Sequence, residues 1–172
     1  MSIKVSMLLP ACVVLVLQGV IPVSHAATLG VSATLLPACS MGTTSNGTTS
    51  FGVLNFGNYA SLSTAIKVTS AQAAGSIRVN CINGVGYKIV MDGGSSGNVA
   101  NRTLVNTANN TSTVLYNLYT TASGATVWDN ITGISDIGNG ADQWHTVFGI
   151  VPVQTTPAAG TYADTVNVTV SW

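Results

Sequence analysis

The stretch TVNVTVSW, residues 165–172, is the clearest guide to the fold of this chain. Val166, Val168 and Val170 alternate with polar residues, and Trp172 continues the apolar series. Because successive side chains of a β-strand point to opposite faces, this alternation predicts a strand with one inward, buried face and one solvent-facing side. No further strand pattern follows, so we expect one edge of this strand to lack a neighbour within the chain.

The same alternation recurs throughout the chain, and no segment has a sustained helical pattern. Residues 77–81 and 87–91 flank a glycine turn, so we expect them to be neighbouring strands. Gly-, Asn- and Ser-rich segments at 41–50 and 92–98 are interpreted as loops. Many short strands separated by turn sequences predict an all-β, immunoglobulin-like β-sandwich. Further strands are predicted at 51–57, 64–70, 102–106, 114–120 and 146–153.

The N-terminus has the pattern of an export signal. Lys4 precedes an apolar run from Met7 to Leu17, which is too short for a membrane-spanning helix. The small residues Ser24-His25-Ala26 predict cleavage before Ala27. We therefore interpret residues 1–26 as a signal peptide and expect no membrane span after its removal.

Two cysteines, Cys39 and Cys81, remain once the signal peptide is removed. In an oxidising, exported compartment an even pair of cysteines indicates a disulfide rather than a metal site or a catalytic thiol. The pair predicts a structural bond and a periplasmic or extracellular location.

The composition argues against several functions. Charged residues make up 6% of the chain and its formal net charge is zero, so the sequence offers no basic patch for nucleic acid. His145 is the only histidine after the signal peptide and has no serine-nucleophile motif beside it, so we expect no catalytic residue. The aspartates lie mostly beside Gly or Asn, as in turns, so we expect no metal and no cofactor. Trp128 and Trp144, taken as exposed aromatics, leave an exported carbohydrate-binding module as a weaker alternative.

A second alternating segment, TLGVSATLLPAC, begins at Thr28. Its apolar positions are Leu29, Val31, Ala33 and Leu35. Such a strand can pair within its own sheet or be offered to a neighbouring molecule, and periodicity alone does not distinguish the two.

A series of landmarks runs along the chain from the first cysteine of the mature protein: Cys39, FGVLNFG (51–57), IRVNCINGVGYKIVMDGG (77–94), NRTL (101–104), VLYNLY (114–119), VFGIVP (147–152) and AGTYADTVNVTVSW (159–172). In this order the landmarks resemble the spore coat protein U domain, which is used by pilins of archaic, Csu-type chaperone-usher pili of Gram-negative bacteria. The chain differs from the family where the usual Trp-Gly-Asp is Trp128-Asp129-Asn130.

This resemblance implies an incomplete sandwich whose seventh strand comes from another subunit. A periplasmic chaperone would fill the groove first, and an outer-membrane usher would then exchange it for the N-terminal strand of an identical or related pilin subunit. Residues 27–38 would be the donor-strand extension, with Leu29, Val31, Ala33 and Leu35 inserted, and residues 39–172 the pilin domain. The groove and chaperone-binding strand would carry Val166, Val168, Val170 and Trp172.

The implied function is that of a non-enzymatic structural subunit of a surface pilus, or fimbrium, that serves attachment and biofilm formation. A related alternative is a secreted coat protein whose own N-terminal strand closes its own groove. Polymerisation separates the two, because only a donated strand links one molecule to the next.

Overall fold

The computed structural model describes residues 30–45 and 48–172. The interpreted signal peptide and Leu29 therefore lie outside the described residues. The chain divides into two units, Met1–Thr34 and Leu35–Trp172. In the first unit, the described residues 30–34 form neither helix nor strand.

The second unit consists of short strands and one turn of 3-10 helix, Gly94–Ser96, and its described residues contain no α-helix. None of the helical structure described is long and apolar enough to cross a membrane. In chain order the strands are β1 (Cys39–Met41), β2 (Thr43–Ser45), β3 (Thr48–Ser50), β4 (Ile66–Thr69), β5 (Ile77–Cys81), β6 (Gly86–Met91), β7 (Arg102–Asn106), β8 (Thr113–Tyr119), β9 (Ile134–Ile137), β10 (Gln143–His145), β11 (Phe148–Val151), β12 (Tyr162–Ala163) and β13 (Val168–Ser171).

The strands form antiparallel sheets in the orders β1-β5-β10, β13-β6-β9 and β12-β7-β8-β11-β4, with β2 and β3 as a separate hairpin. Alternate residues of β5, β6 and β8 face inward and form one hydrophobic core, as the period-two pattern predicts. The fold class predicted from the sequence, an all-β immunoglobulin-like sandwich, is confirmed. The core residues from these three strands are Ile77, Val79, Cys81, Tyr87, Ile89, Met91, Val114, Tyr116 and Leu118.

The prediction that β5 and β6 are neighbouring strands is wrong. β5 pairs with β1 and β10, whereas β6 pairs with β13 and β9. Both strands bury one full face in the core, so the turn between them carries the chain from one sheet to another. An alternating pattern predicts a buried face but does not identify the strand that pairs at each edge.

The segment 41–50, interpreted as a loop, contains the β2–β3 hairpin, with Thr43 opposite Ser50. The dipeptide Asn46-Gly47 in its sequence is a recognised hairpin signal. Conversely, residues 51–57 were predicted as a strand and form none. The short strands β9, β10 and β12 had no sustained apolar alternation by which the sequence could predict them.

The predicted disulfide between Cys39 and Cys81 is present. The two cysteines are directly opposite each other in the β1–β5 ladder, and Cys81 is fully buried. The bond therefore fastens the first strand of the unit to the core. Met41, two residues further along β1, packs against that core.

Candidate partner-binding groove

An open, mostly apolar groove with a volume of about 580 Å³ lies beside the C-terminal strand. Residues between 49 and 56 line one side, and residues 164–168 line the other. The floor of the groove between these two sides is formed by the hydrophobic core. Between the two sides, the groove is lined by residues of the core or packed against it, namely Met41, Ile77, Met91, Leu104, Leu118 and Val147.

One side of the groove is an unpaired strand edge. Among the described residues β13 has a single neighbour, β6. Just before β13, the N–H of Asn167 donates to Asp92 Oδ1 at 3.0 Å, and the N–H of Asp92 donates to the Asn167 carbonyl at 3.0 Å. Backbone groups of alternate residues point the same way, so the N–H and C=O groups of Val166, Val168 and Val170 point away from β6. Within residues 30–45 and 48–172, these groups form a hydrogen-bonding edge without a strand partner.

The opposite side is residues 51–56, which we call the strap. Among the described residues, the strap makes one backbone–backbone hydrogen bond, from the Gly75 N–H to the Phe51 carbonyl at 2.9 Å, and the Gly52 N–H donates to Ser50 Oγ at 3.1 Å. A Cβ on Gly149 in β11 would lie 2.8–2.9 Å from Phe56 and Leu54, so only glycine allows this close packing. Phe56 also packs edge-on against Tyr116, with 5.7 Å between the centroids of the two rings. The strap therefore has a fixed apolar side and a largely unpaired backbone.

Residues 164–167, which we call the arm, lead into β13 without belonging to a strand. At one end of the arm, the Asp164 carboxylate accepts hydrogen bonds from the Ser95 N–H at 2.8 Å and from the Tyr116 hydroxyl at 2.6 Å. At the other end, Asn167 Nδ2 donates to Asp92 Oδ2 at 2.6 Å. Two carboxylates thus hold the arm, together with the single backbone bond from the Asp92 N–H to the Asn167 carbonyl.

These contacts shift the pKa values of the groups involved. Burial, and then the bond to Asp164, raise the pKa of the Tyr116 hydroxyl, so it stays protonated as a donor. Burial alone would raise the pKa of Asp92, but hydrogen bonds from Gly94 and Asn167 and the charge of Arg102 hold that pKa below its usual range. Asp92 is therefore a carboxylate at neutral pH.

Arg102 is fully buried and lies behind this side of the groove. Its guanidinium donates to the carbonyls of Asp92 at 2.8 Å and Trp128 at 2.7 Å, and to Asn117 Oδ1 at 2.6 Å. Burial lowers the pKa of Arg102, while the surrounding Tyr116 and carboxylates oppose that shift. Arg102 joins β7, β8 and the end of β6 through polar contacts rather than apolar packing.

The C-terminal residues predicted for the groove lie in three different environments. Val166 and Val168 line it. Val170 faces inward but is buried in the core at 7% exposure. Trp172 was expected to face inward, and that expectation is wrong, because it is 55% exposed and lines a separate shallow depression with Lys88. The ladder ends at Ser171 opposite Lys88, so no strand pairing orients the side chain beyond it.

The predicted donor residues that the structure describes are exposed and belong to no strand. Val31 is 87% exposed and Leu35 is 90% exposed. Ala33 is exposed as well, and Leu29 lies outside the described residues. The neighbouring Leu36, which the pattern did not single out, is 74% exposed.

The aromatic residues left open by the sequence have structural contacts. The prediction that Trp128 is exposed is wrong. Trp128 is fully buried, and its Nε1 donates to the Ile89 carbonyl at 3.1 Å. Trp144 is partly buried. His145 Nε2 lies 2.8 Å from the Tyr87 hydroxyl. Within residues 30–45 and 48–172, no group of His, Cys, Asp or Glu side chains is arranged to hold a metal ion.

The sequence did not predict the roles of Asp92, Asp164 and Arg102. For Arg102 a signal exists, because in RTLVN it shares a face with Leu104, which packs against the core. For the aspartates the pattern indicated only turns. Their partners Asn167 and Ser95 are 75 and 69 residues away in sequence, beyond the range of local patterns.

The fold and the groove define an all-β sandwich domain with an apolar groove beside a strand edge that is unpaired among the described residues. The Spore Coat Protein U domain model matches residues 25–169, so the chain belongs to that family. The family consists of structural, non-enzymatic proteins.

Among solved structures, the chain is similar to the crystal structure of the CsuC–CsuE chaperone–tip adhesion subunit pre-assembly complex from archaic chaperone-usher Csu pili of Acinetobacter baumannii. The sequence identity is 23% and the TM-score is 0.47. The match covers 81% of this chain and 40% of the solved chain. A comparison with curated proteins gives no match.

Proposed function

We propose that this protein is a structural subunit of a surface pilus, assembled by donor-strand exchange through a periplasmic chaperone and an outer-membrane usher. The groove beside β13 carries the proposal, because it combines an apolar lining with a backbone edge that is unpaired among the described residues. A strand added at such an edge gains main-chain hydrogen bonds and buries alternate side chains. The pilus would serve attachment and biofilm formation.

The chain contains an N-terminal segment whose residue pattern suits a strand that fills the groove of a second copy. Leu29, Val31, Ala33 and Leu35 alternate with polar or small residues, as a strand with one buried face requires. Burying these four side chains would contribute roughly 5–9 kcal/mol before any backbone hydrogen bonds. The strap on one side and Val166 and Val168 on the other would bond to the inserted strand. Identical copies could then form a fibre in which each subunit gives one strand and receives one.

The test substitutes inward and outward positions of the donor segment in a cell that also produces the chaperone and usher. We expect Val31→Asp to abolish polymer formation, because it places a charge in an apolar groove. Ser32→Asp, the matched control, adds the same charge on the outward face and should leave polymers intact. Polymers are detected by electron microscopy of the cell surface and by high-mass species in unheated gel samples.

The receiving side is tested in the same assay with Val168→Asp, whose side chain lines the groove, and with Thr169→Asp, whose side chain is exposed. We expect only Val168→Asp to block assembly. Normal polymers from both Val31→Asp and Val168→Asp would contradict the proposal. A wild-type product that remains a stable monomer at every concentration would instead indicate the self-closed coat protein.

A further inference from the structure

We propose that Asp92 is a positioning residue for strand insertion, and that its carboxylate holds the arm so that the free edge of Val166 and Val168 faces the groove. The inference rests on the proposed function, since it concerns how the same groove receives a strand. By itself, the sequence around Asp92 indicates only a turn.

Asp92 continues the β13–β6 ladder where the strand geometry ends. The last ladder pairs include Val168 opposite Met91, which makes Asn167 and Asp92 the next pair in register. The Asp92 N–H donates to the Asn167 carbonyl at 3.0 Å, as a backbone ladder would. The Asn167 N–H, however, donates to Asp92 Oδ1 at 3.0 Å rather than to a carbonyl. The carboxylate therefore replaces a backbone acceptor.

The second carboxylate oxygen binds the side chain of the same residue, since Asn167 Nδ2 donates to Asp92 Oδ2 at 2.6 Å. Hydrogen bonds to an ionised acceptor are stronger than those between neutral groups. Asn167 is consequently held by three bonds on the side away from the groove, which leaves its neighbours Val166 and Val168 to face the groove.

Asp92 is itself fixed from the interior. The N–H of Gly94 donates to Asp92 Oδ1 at 2.9 Å, and the buried Arg102 donates to the Asp92 carbonyl at 2.8 Å. The connection therefore runs from the core through Arg102 and Asp92 to Asn167. An edge held in the bound geometry loses less conformational entropy when a strand binds, so the contact should increase affinity for the strand.

The test measures the affinity of the full mature chain, at concentrations too low for polymerisation, for a fluorescent peptide with the sequence TLGVSATLL of residues 28–36. We expect Asp92→Asn to weaken binding about three- to tenfold, because the two hydrogen bonds from Asn167 would then go to a neutral amide instead of an ionised carboxylate. The matched control is Asp142→Asn. Asp142 accepts from Arg78 and Asn80, does not line the groove, and should leave peptide affinity unchanged.

A reciprocal exchange separates positioning from a general structural effect. Combining Asp92→Asn with Asn167→Asp restores one donor and one carboxylate across the same contact, so affinity should return toward the wild-type value. The variant Asn167→Ala tests whether Asp92 acts through Asn167. If it does, adding Asp92→Asn to Asn167→Ala should cause little further loss of peptide affinity. Circular dichroism shows that each variant is folded before its affinity is measured.

Unchanged affinity in Asp92→Asn would overturn the inference, as would a loss that the reciprocal exchange does not reverse. A failure of the proposed function gives a different result, because the wild-type chain would then not bind the peptide at all.

Discussion

Arg102 places a full positive charge inside a chain in which only 6% of residues are charged. Replacing it with methionine keeps a long apolar side chain but removes every donor. The substitution would remove three hydrogen bonds of the guanidinium, which go to the carbonyls of Asp92 and Trp128 and to the Asn117 side chain. Buried acceptors without partners are costly, so we expect Arg102→Met to lower the free energy of unfolding by about 3 kcal/mol. Urea unfolding followed by tryptophan fluorescence measures this change.

The matched control for that substitution is Arg78→Met. Arg78 forms an ion pair with Asp142 at 2.7 Å, but both side chains are partly exposed to solvent. Exposed ion pairs contribute little to stability, so the urea midpoint should move much less. Equal shifts of the urea midpoint in the two variants would mean that the buried hydrogen bonds of Arg102 stabilise the fold no more than the exposed ion pair of Arg78 does.

The candidate site shows what residue patterns can and cannot predict. The alternation of residues 165–172 correctly marked Val166 and Val168 as inward-facing because burial follows directly from the strand period. It failed for Trp172, since a side chain past the last ladder pair is not oriented by that period. The contact of Asp92 with Asn167 could not be predicted, because it depends on the register of two strands far apart in sequence.

The strap shows the same limit for a whole element. Residues 51–57 have a strand-like composition but form no strand, because a ladder requires a partner as well as suitable residues. The hairpin of β2 and β3 is the opposite case, since its Thr and Ser residues pair without an apolar face. Strands that bury one face, such as β5 and β6, were predicted because core burial imposes a pattern on their own sequence.

The packing of the strap on β11 can be tested with Gly149→Ala. The added methyl group would lie 2.8 Å from the end of the Phe56 ring and 2.9 Å from a Leu54 methyl group, so these side chains must shift. Overpacking of this kind costs about 1–3 kcal/mol, and we expect the urea midpoint to fall accordingly. Gly86→Ala in β6 is the control, because a Cβ there meets nothing within 4 Å and the backbone is not left-handed. Identical midpoints for the two variants would show that the strap is not held by this contact.

For the molecule as a whole, the disulfide and the low charge agree with an exported protein. The bond joins residues 42 positions apart, and closing a loop of that length stabilises the folded state by about 4 kcal/mol in the entropy model. Among the described residues, β13 has β6 on one edge and no strand on its other edge. A domain with that edge open benefits from covalent reinforcement.

The contact between two sheets makes the stability of the molecule depend on pH. His145 in β10 contacts Tyr87 of β6 at 2.8 Å and lies 3.9 Å from Asp136 of β9. Burial lowers the pKa of His145, while the charge of Asp136 opposes that shift. Burial, and then the charge of Asp136, raise the pKa of Tyr87 to about 12, so its hydroxyl remains protonated and His145 is the member of this contact that changes charge below neutrality.

Because the folded protein holds His145 neutral more strongly than the unfolded chain does, this histidine contributes stability above its unfolded pKa of about 6.5. That contribution should be lost as pH falls from about 6.5 through the lowered folded pKa. We expect urea midpoints to decrease over this range in the wild type and to stay nearly constant in His145→Gln, which keeps a hydrogen-bonding side chain without a titrating group. Asp92, Asp129 and Asp142 have lowered pKa values and titrate below this window. The same decrease in both proteins would assign the pH dependence to groups other than His145.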